Sequence, residues 1–116
     1  MEEMYKDALE VFQSGEFGVT QDTYFGYDDP EDFNKLCACG LGAAWLKNNK
    51  DKVKGYPFAP DFEDIEGYCS KQYNISISDC VDFLHGFDGE NSSLIDIKNF
   101  NAYNLGKQLL NTVNKD

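Results

Sequence analysis

The chain contains no arginine: all ten of its basic residues are lysine. Arginine's planar fork is the preferred partner of phosphate groups and guanine edges. Its absence, beside 21 acidic residues and a formal net charge of -11, argues against direct DNA or RNA binding. Histidine occurs once, at position 85, which leaves little material for imidazole-based catalysis. No stretch approaches the roughly 20 consecutive apolar residues that span a bilayer. Met1-Glu2-Glu3-Met4 offers no basic region followed by an apolar one, which predicts no secretory signal and a cytoplasmic location in a bacterial cell. Proline is scarce, and neither a linker-like stretch nor an internal repeat divides the chain, so residues 1–116 read as a single domain.

Aromatic residues are abundant, at 15%. Nine Phe, seven Tyr and one Trp are enough for a real core and set the chain apart from charged disordered sequences. Four cysteines stand at 37, 39, 69 and 80. In a reducing compartment such residues act as small buried hydrophobes. Charge is distributed in blocks. Residues 1–32 are acidic with Lys6 alone opposing, then Lys47, Lys50, Lys52 and Lys54 form a basic island, and residues 59–96 are acidic against Lys71 alone. A solvated face explains such runs; a surface that steers basic partners toward it is the sharper reading.

Apolar periodicity predicts a helix over residues 2–14, with Tyr5, Ala8, Leu9 and Phe12 on one face and Gly15 as its stop. Residues 16–29 are rich in extended-structure formers, with Gln21-Asp22 as the turn of a short hairpin. Asp29-Pro30 then reads as a cap and first turn, opening a central helix that runs to Lys47 with Phe33, Leu36, Cys37, Gly40, Leu41 and Ala44 in a stripe. Gly40 and Gly42 inside that helix imply close approach of another backbone. A third helix is expected over 60–72, a fourth beginning at Ser76 or Ser78 and ending near His85-Gly86, and a last one over 100–114. The fold class is therefore mainly α: a compact bundle of four to five helices with one short β-hairpin.

No catalytic, cofactor or metal site emerges from the motifs. Gly40-Leu41-Gly42 lacks the preceding strand and third glycine of a dinucleotide loop. Cys37 and Cys39 do not match a zinc knuckle and, on a helix, would point about 200° apart. Cys80 and His85 do not share a face suited to a nucleophile–base pair. Asp88-Gly89-Glu90-Asn91 is only a fragment of a calcium loop, and Asp61, Glu63, Asp64 and Glu66 read as a solvated helical face. The one candidate partner-binding segment is aromatic and acidic together: Asp22, Tyr24, Phe25, Tyr27, Asp28 and Asp29. Tyrosine-rich surfaces make effective protein contacts, although core packing would use the same rings.

The elements Gly18-Val19-Thr20-Gln21, Cys37-Ala38-Cys39-Gly40-Leu41 and Phe87-Asp88 come in an order that resembles a family of small phage and bacterial proteins of unknown function. That family has an N-terminal helix, a Gly-Trp-Thr-like turn, a helix bearing Cys-Ala-x-Gly-Ala, and an Asn-Asp turn before the final helix. Val19 replaces the tryptophan, and Phe87 the asparagine. The resemblance implies a helical fold and a phage origin, and no activity. Together with the charge, it leads to an expected function: a small acidic phage protein that binds and inhibits a basic, nucleic-acid-handling host protein, as anti-defence and anti-CRISPR proteins do, without cofactor, membrane or direct nucleic-acid contact. The alternative is a binder of a small, nucleotide-like ligand, or a small enzyme, with its pocket between the Gly40 helix and the final helix. A third reading gives the charge no role beyond solubility.

Overall fold

A computed structural model describes residues 1–21, 24–29, 32–53 and 64–114. Among them are five α-helices and a small sheet, in the order α1 (Glu2–Gln13), β1 (Gly18–Val19), β2 (Phe25–Asp29), β3 (Asp32–Ala38), α2 (Gly40–Asn49), α3 (Ile65–Tyr73), α4 (Ile77–Phe87) and α5 (Phe100–Val113). A 3-10 turn over Lys50–Val53 follows α2. The mainly α class with a short β element is the one that the sequence implies.

Helix α1 forms where expected, burying Met4, Ala8, Val11 and Phe12. Gly15 adopts a φ of +80°, the left-handed conformation that lets the chain leave the helix. The next segment departs from expectation. β1 and β2 do not pair with each other across Gln21-Asp22. Instead both flank β3 in the order β1-β3-β2. β1 runs parallel to β3, with Gly18 opposite Cys37 and Val19 opposite Ala38. β2 is antiparallel, pairing Phe25 with Ala38 and Tyr27 with Leu36, and the register shifts between Tyr27 and Asp29.

The single helix expected from Asp29 to Lys47 is thus wrong in its first half: residues 32–38 are a strand, and the helix opens at Gly40. The cap is Cys39, whose Sγ accepts from the Gly42 amide at 3.3 Å. The second half is the central helix, as expected. Gly40, Leu41, Gly42, Ala43, Ala44, Trp45 and Leu46 are all buried. A Cβ at Gly42 would lie 2.7 Å from the Tyr24 carbonyl oxygen, and one at Gly40 would meet the Phe87 and Phe83 rings at 2.9 and 3.0 Å. Both glycines therefore serve close packing, one against backbone and one against rings.

Asp64 caps α3 by accepting from the Gly67 amide at 2.9 Å, and Asn74 ends the helix at a φ of +53°. The expected start of this helix at Pro60 lies outside the described residues. Ser76, not Ser78, caps α4 by accepting from the Asp79 amide at 3.0 Å. Helices α4 and α5 pack backbone to backbone. A Cβ on Gly86 would fall 1.9 Å from the Tyr103 carbonyl oxygen, and one on Gly106 2.0 Å from that of Phe83. Asp82, only 3% exposed, accepts from the amides of Lys98 and Asn99 at 3.2 and 2.8 Å. It fastens the loop before α5 onto α4.

Candidate partner-binding surface

The hairpin of β2 and β3 positions the aromatic-acidic segment. Tyr24 and Phe25 are half-buried and packed against the core. The Phe25 ring meets Trp45 edge-on, with centroids 5.6 Å apart. The Tyr24 carbonyl accepts from the Cys39 amide at 3.0 Å. Its hydroxyl donates to Glu66 Oε1, joining the segment to α3. Burial, and next the bond to the Glu66 carboxylate, push this phenol well above its usual range. These two rings therefore hold the hairpin onto α2 and α3. The backbone of Tyr27, Asp28 and Asp29 lies in β2, on the side of the sheet away from β1, while Asp22 lies outside the described residues.

The other sequence candidates resolve into structural parts. Cys37 and Cys39 sit at the end of β3 and just beyond it, so the helical separation assumed for them does not apply. All four cysteines are buried. Desolvation raises Cys39 to about 12 and Cys80 to about 11, and it pushes Cys69 up as well. Cys69 donates to the Leu41 carbonyl at 3.8 Å. Among the described residues, no three His, Cys, Asp or Glu side chains are placed to hold a metal ion. His85 Nδ1 lies 2.5 Å from Glu90 Oε2, and the Glu90 amide donates back to the His85 carbonyl at 3.1 Å, closing the turn at Gly89. Of the four carboxylates expected on one solvated face, Asp64 is a helix cap and Glu66 accepts a hydrogen bond from the Tyr24 hydroxyl. Asp61 and Glu63 lie outside the described residues.

Two lysines of the basic island, Lys47 and Lys50, meet the chain's own acids. Lys47 Nζ lies 2.5 Å from Glu10 Oε2, and Lys50 Nζ 3.7 Å from Glu16 Oε1. The Lys47 ammonium, by hydrogen bond and charge, holds the Glu10 carboxyl below its ordinary range.

Two grooves line α1 and α5. One, of about 390 Å³, lies among Met1, Glu2, Asn101, Asn104, Leu105 and Gln108. The other, of about 370 Å³, is lined by the end of α1 (Leu9, Phe12 and Gln13), by Phe17 and β1, and by Thr112 and Val113 at the end of α5. Reading the sequence did not find this second groove. Its residues come from three separated segments, and Phe17 and Val19 looked only like strand formers. The pocket expected between the Gly40 helix and the final helix would adjoin α2 where the Phe83 and Phe87 rings crowd Gly40. No described helix is long and apolar enough to cross a membrane. Comparison with protein-family models, curated proteins and solved structures finds no match to this chain.

Proposed function

We propose that the chain is a non-enzymatic interaction protein that binds a basic protein and inhibits it by covering its cationic surface. The phage anti-defence or anti-CRISPR type, with a nucleic-acid-handling host protein as target, is the biological form of this reading. The observation that carries it is the charge: -11 overall, lysine as the only fixed cation, and Lys47 and Lys50 engaged with Glu10 and Glu16. A field of one sign speeds encounter with oppositely charged partners and selects against others.

The test is affinity capture with the tagged full chain from bacterial lysate treated with nuclease, eluted in steps of rising salt. The expected result is one dominant basic protein, retained stoichiometrically, whose purified form loses activity when the chain is added. Retention of acidic or neutral proteins only, or an unaffected target activity, would overturn the reading.

A further inference from the structure

The loop between α4 and α5 is held at both ends. The Tyr103 hydroxyl donates to the Glu90 carbonyl, and Asp82 accepts from the amides of Lys98 and Asn99. Between these anchors, residues 91–94 are exposed to water. Asn91 opens this tip. Its Oδ1 accepts from the Ser93 amide at 2.9 Å and from the Ser93 hydroxyl at 2.8 Å, and its own carbonyl accepts from the Leu94 amide at 2.9 Å. An asparagine side chain that reaches the amide two residues on closes a local turn. Its carboxamide is thereby folded over the intervening peptide, which here is that of Ser92. The Ser92 amide donates to no described residue.

These features suit one reaction. Two donors on Oδ1 withdraw electrons from the carboxamide carbon and stabilise the oxyanion that forms when that carbon is attacked. The neighbouring backbone nitrogen is uncommitted, and the side chain beside it is small and not β-branched. Other asparagines lack this combination. Asn48, Asn49, Asn101, Asn104 and Asn111 lie within α2 or α5, where the helix fixes the backbone. Asn74 precedes the β-branched Ile75, whose amide already donates to the Ser70 carbonyl at 3.1 Å.

We infer that Asn91 is a self-modification site, converted through a cyclic imide by attack of the Ser92 nitrogen on the carboxamide that Ser93 polarises. The Ser92 nitrogen gives its proton to water and bonds to Asn91 Cγ. The bond from Cγ to the carboxamide nitrogen breaks, and ammonia leaves carrying a proton in exchange. Water then opens the imide at either carbonyl, giving aspartate or isoaspartate, and nothing is oxidised or reduced. An aspartate at this position keeps both Ser93 donors, now on a carboxylate, and adds one negative charge to the chain. An isoaspartate lengthens the backbone by a methylene and disrupts the turn to Leu94. The negative charge of the chain thus rises with its age.

The test incubates the full chain at mildly alkaline pH and follows every asparagine by peptide mapping, with fragmentation that separates aspartate from isoaspartate. Asn91 is expected to convert first. Ser93→Ala removes one donor from Oδ1 and leaves the exposed tip otherwise intact. It is expected to slow conversion about fivefold, the factor carried by a hydrogen bond of ordinary net strength. Ser93→Thr keeps the hydroxyl and is expected to convert at the original rate. Ser92→Val crowds the attacking nitrogen and is expected to slow the reaction without touching the donors. Conversion at another asparagine ahead of Asn91, or a Ser93→Ala chain that converts as fast as the unaltered one, would overturn the inference.

Discussion

Gly86 and Gly15 show two different reasons for the same residue. Gly86 packs against backbone, where a methyl would overlap the Tyr103 carbonyl at 1.9 Å. Backbone cannot swing aside as a side chain can, so the α4–α5 contact itself would have to open. Gly15 has open space around it but a φ of +80°. Gly86→Ala is expected to destabilise the protein by about 3 kcal/mol, the upper part of the overpacking range, despite alanine's better helix propensity. Gly15→Ala is expected to cost about 1 kcal/mol, the steric penalty of the left-handed conformation alone. Urea melts followed by the fluorescence of Trp45 separate the two, and similar midpoints for both variants would contradict this account. Asp82 belongs to the same scale. A buried carboxylate in mid-helix looks anomalous in sequence, and its sense lies in the two amides it receives from the loop before α5.

Among the elements, the strand β3 is the instructive case. Phe33, Leu36, Cys37, Gly40, Leu41 and Ala44 fit a helical stripe, yet the chain is extended through Ala38. The ladder with β1 and β2 supplies hydrogen bonds that local spacing does not reveal. The start of α2 was equally hidden, because a cysteine is not among the usual capping residues. Tyr24 ties this sheet to α3 through Glu66. Tyr24→Phe keeps the ring and removes that bond, so it is expected to lower stability by about 1 kcal/mol. Its amide exchange is expected to rise in β2 and β3 with little change in α5. Uniform change across the chain would show that the bond does not act on the sheet locally.

The whole molecule joins an apolar interior containing weak acids to a surface of strong negative charge. Cys39 and Cys80 are raised by burial from 9.0 to about 12 and about 11. The folded chain therefore holds its thiol protons at pH values where the unfolded chain has released them, and folding stability falls as pH rises through that window. Their stabilising contribution is complete below about pH 9 and is lost progressively as pH rises through the folded values; Cys69, Tyr24 and Tyr73 shift in the same upward direction. The melting temperature is expected to decline steadily between pH 9 and pH 11, and Cys80→Ala is expected to flatten the decline. A melting temperature independent of pH across that interval would show that the thiols are not sequestered as described.

Amphipathic spacing and caps made α1, α4 and α5 legible in the sequence, and composition by itself determined the net negative charge and the aromatic core. Those features depend on residues within a few positions of one another, or on sums over the chain. The tertiary structure decided the rest. It decided that residues 32–38 are a strand, that Tyr24 and Phe25 turn inward, that Lys47 and Lys50 meet Glu10 and Glu16, and that the ends of α1 and α5 share a groove with β1. Each of these depends on pairing or packing between segments far apart in the chain, where the gain in hydrogen bonds and buried area outweighs local preference.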